Sequence, residues 1–382
     1  MKTQIAIIGA GVAGCTAAIA LAPYYEVILI DKLEKPGEKI GECLPAATKR
    51  ILSELEILHL VQNEKGHSIS SHINHTGTQS TWGSEKIYFS DSLINPDGSG
   101  WFLDRVKFES SLRSEVNSRG VKCLWPKKLL HVEKVKEGWK LTIGDNLKDS
   151  KEKTETLEAG FVIDATGRAS VFAGKLGIPR ISVDKLISCW SIFPGNRLNN
   201  INTVSPCEYG WWYSSPLSNN RRLAAFHTDR DLLKKRATRD PQLFLDLMKN
   251  CPEISSSVDY SEYKGFVYKG TVAANSGYLQ QFTGERWVAI GDSAISFDPL
   301  SSQGMFNAMA NAMQLRNLFL GTKLIEFSSD QNLDNKFREM YINSINQVWN
   351  RYLYHKEHYY RQEKRWIHAP FWKRRISRSL QE

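Results

Sequence analysis

Short runs of consecutive apolar residues, rather than strict alternation, mark the start, middle and end of this chain. Ile5-Ala6-Ile7-Ile8, Val27-Ile28-Leu29-Ile30, Phe161-Val162-Ile163 and Trp287-Val288-Ala289-Ile290 have the length of strands buried on both faces. That is the pattern of a parallel sheet covered by helices. Between them, Cys15 to Leu21 predicts a helix of small residues, and Ala46 to His59 one with Ile51, Leu52, Leu55 and Leu58 at helical spacing. Lys107 to Arg119 and Met305 to Leu318 predict two more. Val121 to Val162 reads as a meander of strands broken by the charged turn Gly144 to Lys153. Residues 186–270 differ: segments such as Arg222 to His227 and Tyr263 to Tyr268 alternate, as antiparallel strands do. Residues 76–100 are polar and turn-rich, with Trp82-Gly83 and Asn95-Pro96-Asp97-Gly98, and predict a hairpin-like excursion. From Leu333 onward the pattern is helical, aromatic and basic.

These elements predict an α/β fold: a Rossmann-like domain, an interleaved antiparallel β-sheet domain on the substrate side, and a helical C-terminal tail. At 382 residues the chain exceeds the usual size of one core. With no repeat and no low-complexity linker, the expected division is discontinuous. Residues 1–75, 101–185 and 271–325 form the cofactor domain, 76–100 and 186–270 the sheet domain, and 326–382 the tail. The cysteines (Cys15, Cys43, Cys123, Cys189, Cys207, Cys251) form no Cys-x-x-Cys pair and have no histidine at metal spacing, so no metal site is expected and the thiols read as reduced. Met1-Lys2 and the apolar residues after it resemble a secretory leader, and Val12-Ala13-Gly14-Cys15 a lipoprotein cleavage site. Cleavage at either place would remove the glycine turn described next and leave Asp31 without purpose, so the expectation is a cytoplasmic protein. No other stretch is long and apolar enough to be an integral membrane segment.

The chemistry lies where the apolar runs end. Gly9-Ala10-Gly11-Val12-Ala13-Gly14 follows the first strand and opens a helix. Its glycines permit a tight turn, close backbone approach to a pyrophosphate and close helix-on-strand packing, with the helix N-terminus facing the phosphates. Asp31 ends the second strand 22 residues past Gly9, where a carboxylate is expected to accept ribose hydroxyls, with Lys32 beside it. Asp164-Ala165-Thr166-Gly167 turns away from the middle strand. Gly291-Asp292 ends the late one, its aspartate placed to accept from a ribityl hydroxyl. Asp298-Pro299-Leu300-Ser301-Ser302-Gln303-Gly304 then opens the helix from Met305, whose N-terminus would face the electron-rich edge of a flavin. In this order the three fragments describe a clamp along the length of FAD.

These residues, with Gly41-Glu42-Cys43-Leu44-Pro45 and Arg105, resemble the FAD-dependent monooxygenases of the hydroxybenzoate-hydroxylase fold and their relatives, the flavin-dependent halogenases. The resemblance implies that Arg105 lies by the cofactor, that Gly41-Glu42 lines the flavin ring, and that reduced FAD and O₂ deliver oxygen to an electron-rich ring. Gly210-Trp211-Trp212-Tyr213-Ser214-Ser215-Pro216-Leu217, the Asp298 to Gly304 segment and Tyr359-Tyr360-Arg361-Gln362-Glu363-Lys364-Arg365-Trp366 are similar to a narrower group. These are flavoproteins encoded beside lysine ε-oxidase and glycine oxidase and needed for their cysteine tryptophylquinone. They are similar, too, to the flavoprotein that modifies a tryptophan in quinohemoprotein amine dehydrogenase. That likeness implies a protein substrate, the precursor of a quinone-cofactor oxidase. The halogenases' Trp-x-Trp-x-Ile-Pro signature is not kept by Cys189-Trp190-Ser191-Ile192-Phe193-Pro194, and Lys65 and Lys86 flank polar segments rather than a recognisable relay.

Candidate catalytic residues are Glu42, Asp298, Pro299 and Ser301, each equally suited to a structural contact with the flavin. Trp82, Trp101, Trp211, Trp212 and Tyr213 are candidates for stacking on a planar substrate, against the ordinary reading of such residues as core. With no second Gly-x-Gly-x-x-Gly, NAD(P)H would bind transiently or a separate reductase would supply electrons. The net charge is +9, and the tail concentrates basic residues among Tyr and Trp. This composition fits a capping helix with a solvated basic face, an acidic partner or a peripheral membrane contact. No nucleic-acid-binding module accompanies it, so no nucleic acid is expected. A small-molecule aromatic hydroxylase or halogenase, and a flavin-stabilised maturation chaperone without turnover, are the alternatives.

Overall fold

The computed structural model describes residues 1–62, 71–146, 154–194, 200–233, 240–258, 266–326 and 330–376. Lys65, most of the Gly144–Lys153 turn and the first part of the Tyr263–Tyr268 strand lie outside them. The helices, in chain order, are α1 (Val12–Leu21), α2 (Thr48–Glu54), α3 (Arg105–Ser118), α4 (Val171–Lys175), α5 (Pro241–Lys249), α6 (Pro252–Ser255), α7 (Gly304–Thr322), α8 (Gln331–Gln362) and α9 (Pro370–Ile376).

The apolar runs form the parallel core of the first sheet. Lys2–Ile8 pairs in parallel with Thr154–Asp164 on one side and Val27–Ile30 on the other. Lys122–Leu124 and Trp287–Ala289 extend it outward, also in parallel. The register sets Ile8 opposite both Ile30 and Asp164, and Asp164 opposite Ala289. Gly9, Asp31, Ala165 and Ile290 therefore leave the sheet along one carboxyl edge, the edge at which open α/β sheets bind ligands. Small, buried residues let α1 pack closely, and Phe319 of α7 meets Phe161 of the sheet at 5.0 Å and Phe337 of α8 at 5.2 Å. Lys127–Val135 and Gly138–Asp145 add an antiparallel meander to the same sheet.

Seven strands build the second sheet, in the order Val267–Ala273, Leu186–Pro194, Arg221–Asp229, Gly210–Leu217, Ile201–Cys207, Gly77–Ser80 and Tyr88–Asp91. The 76–100 excursion thus supplies the two strands at one end. On the outer face, Ile187, Cys189, Phe193, Trp212, Ala224 and Phe226 form a core with Phe244, Met248 and Ile254 of α5 and α6. The opposite face looks toward the carboxyl edge of the first sheet. An α/β cofactor domain, an interleaved antiparallel sheet and a helical C-terminal region are the architecture of this chain. No helix among the described residues is long and apolar enough to cross a membrane.

Two helices differ from expectation for local reasons. The predicted Ala46–His59 helix is α2 followed by a separate turn at Leu58–Leu60. Glu56 takes a left-handed φ of 60°, and the Ile57 amide bonds back to the Leu52 carbonyl at 2.8 Å, closing α2. The Lys107–Arg119 helix begins earlier, at Arg105, because Asp104 caps it by accepting from the Lys107 amide at 3.1 Å.

Candidate functional site: a cleft between the two sheets

A cleft of about 620 Å³ runs from the glycine turn to the second sheet, within the usual size of a ligand pocket. At one end, Gly9 has φ 103°, and a Cβ there would sit 2.5 Å from the Ala165 carbonyl oxygen. A Cβ on Gly14 would sit 1.8 Å from the Gly9 carbonyl oxygen, so α1 could not approach the turn. A Cβ on Gly11 would meet nothing within 4 Å, because that position faces the open cleft. Gly11 is also the N-cap of α1 and offers no side-chain cap to the first amides of the helix. A phosphate-bearing chain fits that cradle. Gly9, Gly11, Val12 and Ala13 line the cleft; Ala10 and Gly14 lie behind it.

Asp31 lines the same end, and its carboxylate accepts from the Ala10 and Leu33 amides, each at 2.7 Å. Arg113 of α3 lies 3.2 Å from it and donates to the carbonyls of Ala10, Leu33 and Glu34. Nothing in the pattern around Arg113 marks it; only the folded register brings it 82 residues back to Asp31. Lys32 lines the cleft beside them.

Asp164 corrects an expectation. It is fully buried and does not line the cleft. One carboxylate oxygen accepts from Thr166 N, Thr166 Oγ1 and Ser293 Oγ, the other from the Phe172 and Ala173 amides that open α4. It holds the turn that presents Ala165, Thr166 and Gly167, which do line the cleft. Gly291 is likewise behind the wall, its amide held by Asn311 of α7 at 2.9 Å, while Asp292 faces in. Arg168, which the sequence does not single out, reaches Asp292 at 3.4 Å and donates to the Phe297 carbonyl.

In the middle of the cleft, Arg105 donates to the Gly41 carbonyl and to Glu109 one turn along α3. Burial alone would raise the Glu109 pKa, but Arg105 and Lys39 together hold it below the usual carboxylate value. Glu42 is buried, accepting from Ser215 Oγ of the second sheet and from the Gly41 amide. It thereby ties the Gly41–Cys43 segment to the second sheet at the cleft.

Asp298 caps the turn Pro299–Ser301 by accepting from the Leu300 amide at 3.0 Å. Ser301 Oγ donates back to the Asp298 carbonyl, and Ser302 turns left-handed at φ 49° before α7. Pro299, Ser301, Gln303, Gly304 and Met305 all line the cleft. Helix α8 reaches this turn: Tyr360 donates to Asp298 Oδ2 at 2.9 Å, and the Asp298 amide donates to Tyr352 Oη at 2.8 Å. Burial pushes the Asp298 carboxyl up, and Lys356, 3.9 Å away, opposes this only in part. Lys356 is itself engaged by Asp184 and Ser276. Much of the tail's charge is spent in this way. Arg375 binds both oxygens of buried Asp229, and Arg365 binds Glu363.

The five aromatic candidates separate. Trp211 and Tyr213 line the cleft. Trp212, one residue on, points to the outer face and stacks on Phe226 at 4.8 Å. Trp101 belongs to the core beneath α1 and α3. Trp82 packs on Trp211, Tyr360 and Trp372 and donates to the Tyr359 carbonyl, behind the cleft wall. His227 and Ser188, not marked by the sequence, do line it.

A phosphate cradle at the carboxyl edge of a parallel sheet, joined by one cleft to an antiparallel sheet, defines an FAD-dependent oxidoreductase of the monooxygenase and halogenase superfamily. Residues 2–335 match the family described as FAD binding domain, and the chain belongs to that family. It is 27% identical over 376 residues to "Putative FAD-dependent oxidoreductase LodB" of Marinomonas mediterranea, covering 97% of this chain and 95% of the relative. The fold is similar to the flavin-dependent halogenase CmlS, with a TM-score of 0.78 at 20% identity, over 98% of this chain and 68% of that one. It is also similar to QhpG, a peptidyl tryptophan dihydroxylase essential for tryptophylquinone cofactor biogenesis. That match has a TM-score of 0.75 at 18% identity, over 98% of this chain and 79% of QhpG.

Proposed function

We propose that this protein is an FAD-dependent monooxygenase that hydroxylates a peptide-linked tryptophan in the precursor of a quinone-cofactor oxidase, acting in the cytoplasm. The observation that carries the reading is the continuous cleft, which joins the phosphate cradle at Gly11 to an aromatic wall at Trp211 and Tyr213. The likeness to LodB over nearly the whole chain, and to the fold of QhpG, supports it.

Gly9 to Ala13 and the α1 N-terminus would hold the pyrophosphate, and Asp31 and Lys32 the adenosine end. Ala165 to Gly167 and Asp292 would flank the ribityl chain, with Gly41, Glu42 and Arg105 beside the ring. Once bound and reduced by NAD(P)H or a separate reductase, FAD would supply the electrons that activate O₂. The residues from Pro299 to Met305 would shape the reacting edge, where the α7 N-terminus would favour negative charge. The turn there is held in place because Asp298 is bonded to both Leu300 and Tyr360.

Hydroxylation is favoured over halogenation by the wall itself. No lysine occurs in the strands Leu186–Pro194, Gly210–Leu217 or Arg221–Asp229; Lys269 of the adjoining strand is paired with Glu38 at 2.5 Å and Lys39 of the cleft with Glu109 at 2.6 Å, so neither is free to relay hypohalous acid. The test is to incubate the protein with FAD, reductant, O₂, chloride and a candidate precursor, then map the precursor by mass spectrometry. Gain of oxygen on a tryptophan is expected. Gain of chlorine would give the halogenase reading, and an unmodified precursor accompanied by peroxide release would refute the choice of substrate.

A further inference from the structure

One row of the second sheet carries polar groups that the fold leaves unpaired. Ser188, His227 and Trp211 lie directly across from one another on three neighbouring strands, and all three line the cleft. The His227 imidazole lies flat on the Trp211 indole, with ring centroids 3.7 Å apart and 4° between planes. It is 1% exposed, and among the described residues neither ring nitrogen has a side-chain hydrogen-bond partner; nor does Ser188 Oγ, also 1% exposed. Tyr213, two residues beyond Trp211 on the same face, turns its buried hydroxyl toward Glu42 and Ser215. Buried polar side-chain atoms are nearly always hydrogen-bonded. Two such side chains, adjacent on one wall of one cleft, point to a ligand that bonds them.

The wall also limits what that ligand is. Burial drives the His227 pKa down to about 3, only partly offset by the Trp211 main chain, so near neutrality the ring has one donor and one acceptor. Along the same face the neighbours are Trp190, Ile192, Leu223 and Ala225, packed together with Ile40 and Tyr213. None can neutralise a carboxylate or an ammonium, and Glu42 is already held by Ser215 and the Gly41 amide. A full charge brought here would lose its hydration without a counter-charge. An aromatic ring with one N–H would lose little, since the rings of Trp211 and Tyr213 line the cleft and His227 is an acceptor.

We infer that this row is the subsite for an uncharged N–H-bearing aromatic ring. Its N–H donates to His227, and a tryptophan enters as a peptide-linked residue rather than as the zwitterionic amino acid. The inference rests on the reading proposed above and adds to it the residue that positions the ring.

The test is binding to the FAD-loaded protein, followed by calorimetry, with three probes: N-acetyl-L-tryptophanamide, its 1-methylindole counterpart and L-tryptophan. The amide is expected to bind at least about tenfold more tightly than the free amino acid, and methylation of its indole nitrogen to weaken it about tenfold, the worth of one hydrogen bond. His227→Phe keeps a ring on Trp211 and removes both nitrogens. In that variant, with flavin content and melting temperature unchanged, the methylated and unmethylated amides should bind equally. Equal affinity of the amide and L-tryptophan, no binding of the amide, or a methylation penalty that survives in His227→Phe would each overturn the inference. If His227→Phe does not fold, the comparison of methylated and unmethylated amide in Ser188→Ala and the native protein decides: no penalty in the native protein overturns it. None of these results bears on the oxygen gain in the precursor, which tests the proposed function separately.

Discussion

Asp164→Asn distinguishes a carboxylate that holds the fold from one that holds the cofactor. In the native chain both oxygens are saturated by five donors from Thr166, Phe172, Ala173 and Ser293, at 2.6–3.1 Å. Asparagine keeps one oxygen and turns the other into a donor facing donors. The smaller loss is the pair on Oδ2, the amides of Phe172 and Ala173. Hydrogen bonds to a charged acceptor are worth about 1.5–3 kcal/mol each, so two lost bonds cost on the order of 3–6 kcal/mol. That is a large share of the 5–15 kcal/mol, roughly, by which a domain is stable. Urea unfolding of the flavin-free protein, by circular dichroism, measures it directly. A flavin-free variant within about 0.5 kcal/mol of the native protein, with only its flavin affinity reduced, would refute the structural role and return Asp164 to the cofactor.

Gly11→Trp should abolish flavin retention while leaving the fold intact, because the side chain enters open cleft rather than protein; a variant that purifies yellow refutes the cradle. Asp229→Asn removes the charge that pairs with the buried Arg375 guanidinium, and breaking a buried pair costs about 3–5 kcal/mol. Limited proteolysis should then release the segment after α8 first; unchanged protection would contradict that tie. His227 has a folded pKa near 3 against an ordinary 6.5. Below pH 6.5 the unfolded chain therefore takes up a proton that the folded chain does not, and stability falls as pH falls. The native protein should lose up to about 1.4 kcal/mol per pH unit more than His227→Phe in that window. Parallel curves would show that His227 titrates normally.

The phosphate end of the site is legible in the sequence because its determinants are local. A strand, a glycine turn and a small-residue helix are contiguous, and Asp31 follows at the end of the next strand. The aromatic wall is not, because alternation along Gly210–Leu217 puts Trp211 and Trp212 on opposite faces. Which of them meets the cleft depends on pairing with Arg221–Asp229 and Leu186–Pro194. The same pairing is what exposes Ser188 and His227 as neighbours. Arg113 reaches Ala10 across 103 residues, and Tyr360 and Lys356 reach Asp298 across 62 and 58, beyond any spacing rule. Trp101 and Trp82 fill the core and the rear of the wall, the ordinary fate of large apolar rings. The tail's composition reads as a free basic surface, yet Arg375, Arg365 and Lys356 are turned inward onto carboxylates.

The central claim is that one cleft would hold FAD along its whole length, adenosine at Asp31, pyrophosphate at Gly11, ring at Glu42 and Pro299. Calorimetric titration of flavin-free protein with FAD and, separately, with FMN tests it most directly. One equivalent of FAD should bind, and FMN, which lacks the adenosine half, should bind far more weakly. Equal affinity for the two, or no heat with either, would contradict the account.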